Sequence, residues 1–127
     1  RKTSAKLLGR AKFTPAISIL SQILKSNDEQ NRQYGVDWDA AHALAEMGDE
    51  GMWELIRALI TNSTRVRTIA IESLGQIGKR AKPAIPYIVR AIKGQSENGE
   101  DVRERHALLQ HARWALEKID PHVPRQE

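Results

Sequence analysis

The 127 residues carry 20 Lys and Arg against 16 Asp and Glu, a formal net charge of +4, with 40% hydrophobic and 28% charged residues. That is enough chain for one domain with a real core, and too balanced a charge for the one-sided footprint of a dedicated nucleic-acid binder. The lack of cysteine excludes disulfides, thiol catalysis and cysteine-ligated zinc; no apolar run approaches the roughly 18 residues of a membrane span, and the opening RKTSAKLLGR has no signal-peptide core, so the expected setting is cytoplasmic.

Ala, Leu, Ile, Gln, Glu, Lys and Arg dominate, aromatics are few (three Trp, two Tyr, one Phe), and nothing alternates at period two, so the expected class is all-α. In chain order the apolar spacing predicts helices over 2–11, 14–25, 37–47, 50–61, 64–77, 83–93 and 101–119. In the third helix Ala40, Ala43, Leu44 and Met47 fall on one face, and in the fifth so do Ala70, Ser73, Leu74 and Ile77. Small residues there let a neighbouring helix approach closely. Gly48 and Gly78 stand where a helix stops in a left-handed conformation, and Ser63 or Thr64 caps the fifth helix. KGQSENGE, 93–100, reads as a loop. The basic stretch after Gly78 reads as an inter-helix loop, with Pro83 opening the next helix and Pro86 one turn further in. Residues 122–127 form a frayed tail.

The chain repeats itself. AIESLGQIG (70–78), AAHALAEMG (40–48) and ARWALEKID (112–120) share Ala, a small residue, Leu, an apolar residue and then Gly or Asp. A fainter copy, SAKLLGRAKFTPAI, opens the chain. The anchoring residues Leu8, Leu44, Leu74 and Leu116 are 36, 30 and 42 apart, in the range of two-helix solenoid repeats. The implied repeats run over 1–26, 36–62, 63–94 and 101–121 of a single domain. On this alignment Trp38 shares a column with Thr68 and Gln110, and Trp114 with His42 and Glu72. Polar equivalents mark an exposed face; insertions at 27–36 and 94–101 offer the tryptophans cover instead.

VRTIAIESLGQIGKRAKPAIPYIVRAI, 66–92, resembles a HEAT repeat of the short, phycobilisome-lyase-like branch: Val-Arg opens the first helix, a Leu-Gly-x-Ile-Gly segment closes it, and Ala-Ile-Pro opens the second. The resemblance implies a right-handed α-solenoid of antiparallel helix pairs, with second helices lining a concave side. It also implies that Arg67 ties neighbouring repeats through an acidic partner. Asp37 and Leu109 occupy the equivalent places in the second and fourth repeats, which would interrupt that ladder. The scaffold carries many functions and so specifies none.

Other chemistries find little support. GQIGKRAK follows no strand and has no Gly-Lys-Ser/Thr, so it is not a phosphate loop. His106 and His111 are five apart and diverge, and zinc needs three or four ligands, so no metal or other cofactor is expected. Of the acids Asp37, Asp39, Glu46, Asp49, Glu50 and Glu54, Asp49 and Glu50 suit a helix N-terminus better than a catalytic pair. Charge is segregated: five bases and no acid in 1–12, eight acids and one Arg in 27–54, eight bases and one Glu in 57–93. Such blocks become slabs in a solenoid.

The expectation is therefore a non-catalytic scaffold that binds a protein partner through Gln22, Glu54, Arg57, Tyr87, Arg90 and Lys93 on the second helices. A basic patch of Lys79, Arg80 and Lys82 supports the alternative of nucleic-acid binding, similar to HEAT-like DNA glycosylases, although their catalytic Asp and aromatic cage have no counterpart here. A bilin-lyase module is the other alternative that the resemblance raises. Irregular spacings argue against an idealised design. No membrane partner is expected, and an open terminal repeat would allow a homodimer.

Overall fold

The structure, a computed structural model, describes residues 16–25, 35–61, 63–93 and 102–122. The expected helix at 2–11, most of the 93–100 loop and nearly all of the tail lie outside them. Every secondary-structure element among the described residues is helical. Helix α1 covers 16–25, α2 Val36–Ala45, α3 Gly48–Ala58 and α4 Thr64–Ile77; a 3-10 segment, Gly78–Ala84, leads into α5, Ile85–Lys93, and α6 is Val102–Ile119. None of the described helices is long and apolar enough to cross a membrane.

Local chemistry explains the boundaries. Ser63 caps α4, its hydroxyl accepting from the Val66 amide at 3.3 Å. Asp37 and Asp39 lie in the first turn of α2, and Asp49 and Glu50 in that of α3, where the positive end of the helix dipole favours them. Helix α3 starts earlier and ends sooner than the spacing suggests: residues 59–61 close on carbonyls three residues back, Leu59 on Ile56 and Ile60 on Arg57, a tightened last turn.

The stretch after Gly78 is the main correction. It is not a loop but a 3-10 helix with Pro83 inside it, and the α-helix begins only at Ile85. Gly78, at φ 79° and ψ −141°, turns the chain out of α4 in a conformation open essentially to glycine. At three residues per turn, Ala81 and Ala84 then fall on one face, and both are fully buried.

Helix α4 is the centre of the molecule. It packs against α2 on one side and α6 on the other; α3 packs against α2 and α4, and α5 against the 3-10 segment and α6. One continuous core runs through all of them, with Leu44, Leu55, Ile69, Leu74, Ile88, Leu108 and Ile119 wholly buried. Two glycines set the closest approaches. A Cβ on Gly51 of α3 would lie 1.8 Å from the Leu44 carbonyl oxygen of α2, and one on Gly75 of α4 would lie 2.8 Å from the Ala115 Cα of α6.

An ion pair joins α2 to α4. Asp37, buried, accepts from Arg65 Nε at 2.7 Å and from its Nη2 at 3.1 Å, and also from the Trp38 amide. Arg65 thus ties α4 to the acidic Asp37 of α2, while Arg67 is buried and donates to the Thr64 hydroxyl. The pair crosses from the acidic sequence block to the basic one, as does the looser Arg80–Asp49 contact at 3.8 Å.

Candidate functional site

Two surfaces stand out. The first lies on the second helices. Residues outside the core recur at i, i+4 and i+7: Ser18, Gln22 and Lys25 on α1; Trp53, Arg57 and Ile60 along α3 and its closing turn; Pro86, Arg90 and Lys93 on α5. All nine are exposed. The three rows repeat at displacements of 35 and then 33 residues, so Gln22, Arg57 and Arg90 occupy equivalent positions in them. Exposure is high at Ile60 (71%) and at the Arg57 side chain (65%), and Ile19 and Trp53 add apolar area.

The expected site residues separate into two columns. Gln22, Arg57, Arg90 and Lys93 face outward. Glu54 and Tyr87 occupy the flanking column: Tyr87 packs partly against the core, and Glu54 accepts from the Ser21 hydroxyl of α1 at 3.0 Å and from Arg57. Glu54 thus joins α1 to α3 and orients Arg57. Helices α3 and α5 have at most slight contact with each other, so the rows carrying Arg57 and Arg90 remain separate ridges. Trp53, Ile60 and Ile19, large apolar side chains exposed to solvent, were missed by sequence reasoning. Lys79, Arg80 and Lys82 are all exposed along the 3-10 segment.

The second surface lies on the first helices, α2, α4 and α6. Residues sharing a repeat column stand side by side. His42 Nε2 is 3.0 Å from Glu72 Oε2, and Glu72 shares an open pocket of about 280 Å³ with Gln110, His111 and Trp114. Trp38 sits behind them, its ring 6.2 Å from His42 and 5.9 Å from His111, centroid to centroid. The two tryptophans differ in burial: Trp38 is half-buried against the core, and Trp114 is 38% exposed. Thr68, expected on this exposed face, is buried, its hydroxyl donating to the Thr64 carbonyl one turn back at 2.8 Å.

Two of the histidines form hydrogen bonds within their own helix. His106 meets the Gln110 amide and His111 meets the Ala107 carbonyl, each within α6. Among the described residues no three His, Cys, Asp or Glu converge as metal ligands would.

The chain matches no protein-family model, no curated protein and no solved structure. Its functional reading therefore rests on these two surfaces.

Proposed function

We propose that this chain is a short right-handed α-solenoid of HEAT-like helix pairs, and that it acts as a non-catalytic scaffold for a protein partner. Two features support the solenoid. The relation of α2 to α4 is repeated by α4 to α6, and that of α3 to α4 by α5 to α6; such recurrence of neighbour contacts is what a stacked repeat produces.

The recurring rows on the second helices carry the binding role. Arg57, Arg90 and Lys93, with Lys25 at the same surface, suit carboxylates, and arginine can meet them with two parallel hydrogen bonds. Trp53, Ile19 and Ile60 supply the apolar anchors that concentrate binding energy in interfaces. The partner is accordingly an acidic protein surface with apolar side chains among its carboxylates, laid across the rows.

The test is a pull-down with the tagged chain from the lysate of its source, with and without nuclease, beside the variant Arg57→Glu/Arg90→Glu. A protein captured in both nuclease arms and lost with the variant supports the reading. Capture that the double reversal leaves unchanged overturns it. Capture that disappears with nuclease transfers the function to nucleic acid and the site to Lys79, Arg80 and Lys82, with affinity that falls steeply as salt rises.

A further inference from the structure

The pocket on the first helices has a donor and acceptor balance that specifies its ligand. The Ala107 carbonyl can only accept, so the contact at 2.7 Å places a proton on His111 Nδ1. In the neutral ring, Nε2 then keeps its lone pair. Gln110 directs its amide nitrogen to His106 Nε2 at 3.0 Å, which leaves its carbonyl oxygen as acceptor. Glu72 receives from His42 Nε2 at 3.0 Å and from the Gln76 amide at 2.9 Å, yet each carboxylate oxygen has a second lone pair. The remaining wall is the indole of Trp114. Its six-membered ring is held over Gly75, where a Cβ would come within 2.6 Å of Cζ3.

A carboxylate, an amide oxygen, an imidazole lone pair and a π-face are all electron-rich. A cation whose polar atoms are all donors meets every wall. Guanidinium fits best: it is planar, stacks on indole, and spreads five N–H groups in a fixed fork. The pocket, at about 280 Å³, lies near the lower bound of small-molecule sites, roughly 300 Å³, which suits one side chain rather than a whole ligand.

We infer that the pocket formed by Glu72, Gln110, His111 and Trp114 is a receptor for the guanidinium of an arginine side chain. Glu72 supplies the charge, Trp114 the stacking surface, and Gln110 and His111 the in-plane acceptors. This site is chemically the reverse of the basic rows on the second helices, and its test does not depend on them.

The experiment titrates the isotopically labelled chain with N-acetylarginine amide and follows the Trp114 indole N–H by NMR, assigned by its loss in Trp114→Phe. N-acetylcitrulline amide, which has the same shape without the charge, and N-acetyllysine amide are titrated in parallel. Saturable movement of the Trp114 signal with the arginine probe is expected, with the Trp53 signal unmoved. Citrulline and Glu72→Gln should each weaken binding at least about tenfold, as expected when a charge-assisted hydrogen bond is lost. Equal binding of citrulline or of the lysine probe overturns the assignment, as does a Trp114 signal that never moves. The citrulline comparison uses the unmodified chain, so it decides the matter even if a variant folds poorly.

Discussion

Gly75→Ala should destabilise this protein, although glycine to alanine inside a helix normally does the reverse. On helix propensity alone the change is worth about 1 kcal/mol in favour of alanine, and burying a methyl adds about 0.8 kcal/mol. Against this, the new Cβ would stand 2.6 Å from Trp114 Cζ3, 2.8 Å from Ala115 Cα and 2.9 Å from Ala115 Cβ. Unstrained carbon pairs sit near 3.5–4.0 Å. The indole can swing aside, but Ala115 Cα is backbone, so α6 would have to retreat by about 0.7 Å along its contact with α4. That retreat loosens Leu108, Ala112, Leu116 and Ile119, all buried. Overpacking of this kind costs up to about 3 kcal/mol or somewhat more, for a net loss of about 1–2 kcal/mol. For a chain of this size the melting temperature should fall by roughly 4–8 °C. Thermal unfolding followed by circular dichroism measures it, with the exposed Arg113→Ala on α6 as control. A melting temperature equal to or above that of the parent would refute the close approach of α4 and α6 and the placement of Trp114 with it.

Gly51→Ala should be worse, with a loss above about 3 kcal/mol, because its Cβ would overlap the Leu44 carbonyl oxygen at 1.8 Å; the yield of folded protein and the urea midpoint report it. Ser73→Ala should stabilise by about 1 kcal/mol, since the Ser73 hydroxyl is wholly buried without a hydrogen-bond partner among the described residues; a higher urea midpoint at unchanged slope is the expected result. Arg65→Ala should cost more than Asp37→Ala, about 2–4 against about 1–2 kcal/mol, because the first leaves a carboxylate at 4% exposure holding only the Trp38 amide, whereas Arg65, a third exposed, can turn to water. Equal losses in chemical denaturation would show that Asp37 is hydrated in the folded state.

The residues that made the fold legible were those whose meaning is local. Ser63 reads as a cap because its hydroxyl needs only an amide three residues on, and Gly78 reads as a stop because its positive φ is a property of one residue. The Ala/Leu/Gly copies also placed Glu72, His42 and Trp114 in one column before any coordinates, and the helices do set them side by side. Other features depend on neighbours distant in sequence. Nothing near Asp37 says that Arg65 rather than Arg67 will reach it, since the choice is made by how α2 and α4 cross. The 3-10 segment packs against α6, a contact between stretches distant in the chain. Exposure at Trp53 and partial burial at Glu54 were likewise settled only when α1 came alongside α3. Composition and period therefore determined that the chain is helical and where most helices begin and end, because those depend on backbone hydrogen bonds within a few residues. Only packing decided which face of each helix met solvent, and so which arginines are presented and which acceptors gather around Trp114.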